Sequence, residues 1–299
     1  MGIKTTLLCV AAVLVLGGGG YGLHHYLASE AKGSGYRDFS ESTFAAEDIE
    51  KAMAEYQGDN VKAATVLKPV RTDDKVVYLY FCGLPDRPLT EKIVDLLEKE
   101  KGTAAFFVEG QNAMDEEETM KLIHKKGHQL GNYTWLGRPE FEKVKEDNAI
   151  ASMVKTQKAL SLMGGDAPLY FKAPQTKYTD DLLKEMGAAG LRYAVESSVT
   201  VKRGQLKSAS DAEELVKTVK NGDLIAFEIN RPLNIKVYEK GKSDEKPAID
   251  KKPTVKDDHK TEAVTKDTTA EQIQWLIEAL DEAGFTLRDL KYVKSVTGD

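Results

Sequence analysis

Short apolar segments alternate with helix-length amphipathic segments along most of the chain after Val76, and this alternation constrains the fold more than any other feature. Buried strands are predicted for the runs KVVYLYF, TAAFFVE and DLIAFEI, which are short and rich in β-branched and aromatic residues. The segments between them carry apolar residues at helical spacing, such as Ile93, Leu96 and Leu97 in the helix expected from Thr90. Repeated strand–helix units predict an α/β fold with a parallel sheet covered by helices. Roughly seven such units favour a closed α/β barrel over an open sheet.

Helix starts are predicted from residues whose side chains accept hydrogen bonds from the first turn. Thr43 is expected to cap a short helix that runs to Gly58, and Thr179 to cap a later one. Capping boxes are expected at Asp115–Glu118, Ser210–Glu213 and Thr268–Glu271.

An uncharged run from Thr5 to Leu23 follows Lys4 near the N-terminus. A helix needs about 20 apolar residues to cross a bilayer, so this run is long enough for an uncleaved signal anchor. The alternative is a signal peptide cleaved near the small residues Ser29 and Ala31. Both interpretations export the rest of the chain: we expect it at the cell membrane with its domain outside the cytoplasm or, after cleavage, secreted. Residues 1–31 then hold the targeting segment and the start of a tether, and residues 32–69 a linker with a short helix and strand.

The charge balance and the cysteine count exclude several classes of protein. Lys and Arg number 42 against 48 Asp and Glu, a net charge of −6, which argues against a nucleic-acid-binding protein. The two cysteines, Cys9 and Cys82, are too few for a disulfide framework or a cysteine-rich zinc module. The stretch Arg231–Val264 is rich in Lys, Asp, Glu and Pro, and we interpret it as a charged, flexible insertion.

Two segments carry a specific resemblance, GTAAFFVEGQNA and ETMKLIHKKGHQLGNYTW, and they are supported by YLYFCGLP, LYFKAPQT and NGDLIAFEI. In this order and spacing they resemble the polysaccharide deacetylase family, also called the NodB-homology family or carbohydrate esterase family four, over residues 70–295. The resemblance implies a distorted seven-stranded (β/α) barrel. It also implies metal-dependent removal of N- or O-acetyl groups from glycans.

The catalytic positions of the family, carried over one at a time, hold different residues in this chain. Cys82 and Gly83 stand where the family has two aspartates, the catalytic base and a metal ligand. Tyr133 and Gly137 stand where it has two histidine ligands. Glycine has no donor and neutral tyrosine is a poor ligand, so we predict no bound metal, no cofactor and no catalytic residue. A catalytic thiol at Cys82 would need a neighbouring base, and the resemblance supplies none.

The remaining active-site positions are also altered. Lys172 replaces the arginine that orients the base, and Glu228 replaces the histidine that serves as general acid. If the alignment holds, Tyr133, Trp135, Lys172 and Glu228 converge near the former catalytic mouth. These side chains either form a binding groove or, in the case of Tyr133 and Trp135, fill the vacated space.

Two other polar signals are interpreted as structural. His124 and His128 are four residues apart, but Gly127 ends the expected helix between them, so no metal site is predicted. Asn132 begins a glycosylation sequon but lies on a predicted strand, so we do not expect modification there.

The sequence therefore predicts a membrane-tethered, exported protein with a degenerate hydrolytic site. The most favoured role is a pseudoenzyme that binds a cell-envelope glycan or an envelope protein. A structural scaffold in an envelope complex is a third reading. The enzymatic alternative is a divergent carbohydrate deacetylase that hydrolyses N- or O-acetyl groups through other residues.

Overall fold

The computed structural model describes residues 44–164, 166–229 and 267–293 of the chain. The expected membrane segment, most of the tether and the charged stretch 231–264 lie outside these residues. Within the described ranges, no helix combines the length and the apolar character needed to cross a bilayer.

The described residues form one parallel sheet of nine strands in the order β1-β6-β5-β4-β3-β2-β8-β7, with β9 paired to β2. The strands are β1 Thr65–Leu67, β2 Val76–Cys82, β3 Ala105–Val108, β4 Gln129–Asn132, β5 Tyr170–Phe171, β6 Tyr193–Val195, β7 Val199–Lys202, β8 Leu224–Glu228 and β9 Thr286–Arg288. The α/β class with a parallel sheet is confirmed. The closed seven-stranded barrel is corrected to a curled sheet, because the pairing among the described strands is open between β1 and β7.

Part of the difference from seven strands arises at β2, which pairs with three strands, because β9 and β3 share one of its sides. Its residues Tyr78–Cys82 pair with β8 along one side. Along the other side, Val76–Tyr78 pair with β9 and Tyr80–Cys82 pair with β3. Strand β1 adds a further member before residue 70, within the segment expected to hold a linker with a short helix and strand.

Helices cover the outer face of the sheet. They are α1 Ala46–Gln57, α2 Arg87–Lys99, α3 Gly110–Asp115, α4 Glu117–Lys125, α5 Glu146–Gly164, α6 Asp180–Ala188, α7 Ala209–Val216 and α8 Thr269–Glu282, with 3-10 turns at Phe141–Lys143 and Leu290–Tyr292.

Helix caps agree with the sequence signals in part. Thr179 is confirmed as the cap of α6, because its hydroxyl accepts a hydrogen bond from the Leu182 amide. Helix α2 begins three residues before Thr90, since Asp86 accepts from the Leu89 amide at 2.9 Å. Here the carboxylate, which comes earlier in the chain, satisfies the first-turn donors.

Of the three expected capping boxes, the one at Thr268 marks the start of its helix correctly, and the other two are wrong. Ser208, not Ser210, caps α7 by accepting from the Asp211 amide. Asp115 does not begin a helix, because it is the last residue of α3, and the next helix, α4, begins at Glu117. Thr268 stands at the start of α8, but its hydroxyl accepts from the Gln272 side chain at 3.0 Å and makes no cap bond.

Alternation along the strands separates two layers of buried side chains. Phe81, Phe106 and Phe227 lie in the outer layer between sheet and helices, where burying each large side chain contributes about 1.5–3 kcal/mol. The inner layer contains Tyr78, Tyr80, Cys82, Ala105, Phe107, Tyr133, Val195, Leu224 and Ala226. The period of two therefore fixes which residues at the carboxyl ends of the strands face the interior of the curled sheet.

Candidate functional site

The candidate site lies at the carboxyl ends of β2, β3, β5 and β8, the end of a parallel sheet where α/β proteins bind ligands. Cys82 is directly opposite Glu228 in the pairing of β2 with β8. Glu109 follows the inner residue Phe107 by two positions, and Lys172 likewise follows the inner residue Tyr170. The side chains of these four residues are therefore expected to point towards the interior of the curled sheet.

The Cys82 thiol is fully buried at this centre. Burial raises its pKa to about 12, and the carboxylates of Glu228 and Glu109 add to this, while the Lys172 ammonium opposes it. The side chain is consequently a protonated thiol at neutral pH. It cannot serve as the base or as a thiolate nucleophile.

Tyr133 is buried beside the same groups. Burial raises the pKa of its phenol well above the usual value, and Cys82, Glu109 and Glu228 raise it further. Ligation through a phenolate is therefore strongly disfavoured. Of the two predicted outcomes, the burial of Tyr133 fits the filling of vacated space better than an exposed binding platform.

The loop after β4 keeps an unusual backbone although its two expected histidines are replaced. Thr134 has φ 63 and Gly137 has φ 64, both in the left-handed region. For the β-branched Thr134 this conformation is strained. It is held by a hydrogen bond from the Thr134 amide to Asn132 Oδ1 at 2.9 Å and one from the Arg138 amide to Thr134 Oγ1 at 3.2 Å.

Glu109 is the site residue that the sequence reasoning missed. It is buried, with 6% of its surface exposed, and its Oε2 accepts from the Leu84 amide at 3.0 Å. A Cβ built on Gly137 would lie 3.1 Å from Glu109 Cγ and 3.2 Å from Oε1. The side chain thus occupies the space between the two altered motifs. Glu109 is the last residue of the predicted strand TAAFFVE and lies two positions after Phe107, so strand alternation could have identified it as facing the interior.

Lys172 is fixed in the interior by its neighbours. Its Nζ donates to the Val195 carbonyl at 3.1 Å and lies 5.8 Å from the ring centroid of Tyr80. Glu228 is partly buried, and its carboxylate has no hydrogen bond or ion pair within the described part of the chain. The two opposite charges therefore share the site without forming a salt bridge.

Trp135 packs against Phe44 and Gly110, so its convergence with Tyr133, Lys172 and Glu228 stays a prediction. Its ring centroid lies 6.3 Å from that of Phe44, and its edge lies against Gly110, where a Cβ would come within 2.5 Å of Cε3. Its amide donates to Ser152 Oγ on α5. The left-handed residue Thr134 reverses the side-chain alternation and directs Trp135 towards the helices.

The other polar candidates have structural roles. His124 is exposed on α4, whereas His128 is buried against Phe106 just before β4, at the opposite end of the strand from the site. Asn132 is fully buried and donates to the Met153 carbonyl and to Gln157 Oε1, so the sequon is not accessible.

The donor set does not fit a divalent metal ion. Gly83 and Gly137 contribute no side-chain donor, and both have positive φ. Among the described residues, no three His, Cys, Asp or Glu side chains are grouped so that they could hold a metal. The one carboxylate that reaches between the two motifs, Glu109, accepts a hydrogen bond from the Leu84 amide.

Two of the clefts on the described surface bear on where a ligand could bind. A cleft of about 660 Å³ lies at the amino end of β2, lined by Arg71, Lys75 and Arg288 among others, away from the altered motifs. A smaller cleft of about 360 Å³ lies near the carboxyl ends of β2 and β8. Its lining consists of Leu84, Pro85, Asp86, Leu89, Asn112, Glu116, Arg203, Ile229 and Asp267. The smaller cleft lies at the same end of the sheet as the candidate site, but its residues Leu84 and Ile229 belong to the outer layer of the core, so it opens on the helix-covered side of the sheet.

Comparison with known proteins agrees with this arrangement. Residues 70–194 match the family model described as polysaccharide deacetylase. A peptidoglycan-N-acetylglucosamine deacetylase from Bacillus cereus is 34% identical over 108 residues, which cover 36% of this chain and 39% of that protein. The chain thus spans less than half the length of this relative.

Solved structures show the same fold at low identity. A peptidoglycan N-acetylglucosamine deacetylase in complex with a hydroxamate-type benzamide superposes with a TM-score of 0.57 at 21% identity, covering 77% of this chain and 92% of that one. A wild-type family-four carbohydrate esterase pseudoenzyme from Bacillus anthracis gives a TM-score of 0.55 at 14% identity, with 78% and 69% covered. A mutant of that pseudoenzyme is described as having restored enzymatic activity.

Proposed function

The chain belongs to the polysaccharide deacetylase (NodB-homology) family, and from this premise we propose that it is a non-hydrolytic member that binds a glycan of the cell envelope. One observation carries the proposal: the Glu109 carboxylate occupies the space between Leu84 and Gly137, at motifs that no longer supply metal ligands. A site filled in this way is suited to a role other than metal-assisted hydrolysis.

The chemistry of deacetylation supports the loss of activity. Hydrolysis of an acetamide by the family's route needs a metal ion to polarise the carbonyl, and a base to activate water. The buried Cys82 thiol, with its pKa at about 12, is not such a base. The groups that remain, Lys172 and Glu228, are able to bind polar ligands without any reaction.

The choice of ligand rests on the family relationship. The relative from Bacillus cereus is named for its action on peptidoglycan N-acetylglucosamine, so peptidoglycan is the first glycan to test. An envelope protein as partner, and a purely structural role, are the competing interpretations. We further propose that the uncharged run Thr5–Leu23 anchors the chain in the membrane with the domain on the outer side, which would bring the site to the envelope.

Co-sedimentation with purified peptidoglycan tests the binding proposal. The full-length protein in mild detergent should sediment with the insoluble polymer in a saturable manner, and soluble amino-sugar oligomers should compete. A protein that stays in the supernatant at every polymer concentration would exclude glycan binding and favour a protein partner.

The anchor is tested separately by fractionation and N-terminal sequencing. We expect an intact N-terminus in the membrane fraction. A mature chain that starts close to Lys32 and is found in the soluble fraction would show a cleaved signal peptide instead.

A further inference from the structure

We propose that the large cleft at the amino end of the sheet binds an acidic sugar, that is, a saccharide that carries a carboxylate or a phosphate group. This cleft lies at the opposite end of the seven-residue strand β2 from the altered motifs, about 20 Å away. The inference therefore does not depend on the glycan binding proposed at the candidate site. It is carried by a partly buried arginine without an anionic partner, by a neighbouring lysine, and by carboxylates in the same cleft.

The cleft is the mouth of the curled sheet at its amino end. Its volume is about 660 Å³, within the usual range of small-molecule sites, and its lining includes the segment that enters β2 and the turn that enters β9. Tyr78 on β2 pairs with Arg288 on β9, so the two side chains lie on the inner side of the sheet. The Tyr78 hydroxyl donates to the Tyr292 carbonyl at 3.1 Å, which fixes the chain at one wall of the cleft.

The first observation is the unpaired guanidinium of Arg288. The side chain is partly buried, and its Cζ lies 5.7 Å from the ring centroid of Tyr292. It forms no hydrogen bond and no ion pair within the described ranges. Charged groups that are removed from water usually have a partner of opposite charge. The planar donors of a guanidinium match two oxygens of a carboxylate or a phosphate, so Arg288 fits an anionic group of a ligand.

The second observation is a further cation in the same cleft. Lys75 Nζ lies 5.1 Å from the ring centroid of Phe285 and has no ion pair among the described residues. Arg71 also lines the cleft, but it is already paired with the buried Asp223 at 2.8 Å. An anion in the cleft therefore meets two cations, Lys75 and Arg288, that no carboxylate of the described chain neutralises at contact distance. Water screens such an interaction less in a cleft than on an open surface.

The third observation is the presence of carboxylates beside these cations. Asp73 and Asp74 line the cleft, and neither forms an ion pair with Lys75 or Arg288. Burial raises the pKa of the Tyr78 phenol and the Asp74 carboxylate raises it further, so Asp74 lies close to the inner wall. These carboxylates repel a simple anion, but they accept hydrogen bonds from hydroxyl groups.

A ligand that satisfies both sets of groups combines an anionic group with several hydroxyl donors, and an acidic sugar has this chemistry. A neutral sugar leaves Arg288 without its anion, and inorganic phosphate offers little to Asp73 and Asp74. An amino acid has both charges but is small for a cleft of about 660 Å³. The side chain of Tyr292, with 53% of its surface exposed, adds apolar area against which a sugar ring can pack.

Ligand-detected NMR titration of the full-length protein in mild detergent tests the inference. The probes are glucose, glucuronate and glucose 6-phosphate, which differ only in the group at carbon 6, at pH 7 and low ionic strength. We expect glucuronate, glucose 6-phosphate or both to bind about tenfold more tightly than glucose. The tighter of the two identifies the anionic group as carboxylate or phosphate. Inorganic phosphate and alanine, which lack the sugar, are added as competitors and should displace the acidic sugars only weakly.

Variants of the lining residues assign the binding to this cleft. Arg288→Gln should weaken the acidic sugars about tenfold and leave glucose unchanged, and Arg288→Lys, which keeps the charge but loses the planar donors, should weaken them less. Arg87→Gln, a change at an exposed arginine on α2, is the matched control and should alter no affinity. Asp74→Ala should weaken the acidic sugars but improve competition by inorganic phosphate, because a hydroxyl acceptor and a repelling charge are lost together. Circular dichroism establishes that each variant is folded.

Equal affinities for glucose and both acidic sugars, or unchanged binding in Arg288→Gln, would overturn the inference. Competition by inorganic phosphate or alanine as strong as that by an acidic sugar would overturn the assignment to a saccharide. Co-sedimentation of Arg288→Gln with peptidoglycan should match that of the wild type. This result separates the amino-end cleft from the function proposed at the other end of the sheet.

Discussion

The carboxylate side chain of Glu109 lies where a side chain at Gly137 would have to begin, with Cγ and Oε1 at 3.1 and 3.2 Å from the position of a Cβ. These residues come from different segments, one at the end of β3 and one in the loop after β4. Their contact means that the loss of the second histidine position and the presence of Glu109 are structurally linked. The site is filled by the protein's own carboxylate, and restoring ligands alone does not recreate the space for a metal.

Reconstruction of the metal site therefore depends on Glu109. We expect the triple variant Gly83→Asp, Tyr133→His and Gly137→His to bind zinc weakly. Adding Glu109→Ala should strengthen zinc binding at least tenfold, because the new imidazole at position 137 then has room. The positive φ values at positions 83 and 137 strain both substitutions by about 1–2 kcal/mol each.

Zinc titration monitored by competition with a chromophoric chelator measures this difference. Circular dichroism establishes that each variant is folded, and Glu109→Ala alone is the control for a change in background affinity. A triple variant that already binds zinc as tightly as the quadruple one would show that Glu109 does not obstruct the site.

Tyr80 and Tyr178 form a matched pair for testing the unpaired hydroxyl. Tyr178 donates its hydroxyl to the Val195 carbonyl at 3.0 Å, whereas the Tyr80 hydroxyl has no partner among the described residues. Tyr178→Phe should cost about 1 kcal/mol of unfolding free energy, and Tyr80→Phe should cost nothing or stabilise the protein. Urea denaturation measures both. A larger loss for Tyr80→Phe would mean that its hydroxyl is satisfied in the free protein.

The buried imidazole of His128 predicts acid sensitivity. Burial lowers its pKa to about 4 in the folded state, and the positive charges of Lys126 and Lys291 act in the same direction, with Asp289 opposing them. The unfolded chain therefore binds the extra proton first, so stability should fall as the pH drops from about 6.5 to 4. The slope for one proton is about 1.4 kcal/mol per pH unit.

His128→Leu should flatten this part of the stability curve, because Nδ1 has no hydrogen-bond partner to lose within the described ranges. His124→Leu, at an exposed position on α4, is the control and should leave the slope unchanged. Identical slopes for wild type and His128→Leu, from chemical denaturation at several pH values, would refute the assignment.

The carboxyl group of Glu185 predicts that the stability of the fold depends on pH in the opposite direction. Burial raises the pKa of this carboxyl group to about 7, and Glu146 and Asp181 add to the effect. The folded state then holds a proton that the unfolded state releases, so stability is lost as the pH rises from about 4.5 to 7. Glu185→Gln should raise the melting temperature at pH 8 and leave it nearly unchanged at pH 4. A variant that is equally stabilised, or equally destabilised, at both pH values would contradict this.

The sequence predicted the parallel α/β class well, because the long apolar runs of β2, β3 and β8 are distinctive. It did not predict β7, because this strand has only four residues and its pairing with β8 depends on a distant partner. Helix starts were less predictable wherever two capping residues compete within a few positions, as Ser208 and Ser210 do.

The site was predictable where it follows strand alternation and was not predictable where the backbone departs from it. Cys82 and Glu228 follow the pattern and are directly opposite each other in the sheet. Trp135 does not, because the left-handed conformation at Thr134 cannot be inferred from a β-branched residue. Glu109 was missed, although it ends the predicted strand TAAFFVE, because the site was deduced only from the catalytic positions of the family.

Acetate release tests the central claim most directly. The full-length protein is incubated with peptidoglycan and with acetylated chitooligosaccharides, with added zinc, cobalt or nickel, and acetate is measured against heat-inactivated protein. We predict no release above that background under any of these conditions. Release that depends on the metal, stops on chelation and resumes when the metal is returned would show a divergent deacetylase and contradict the proposal of a non-hydrolytic glycan-binding protein.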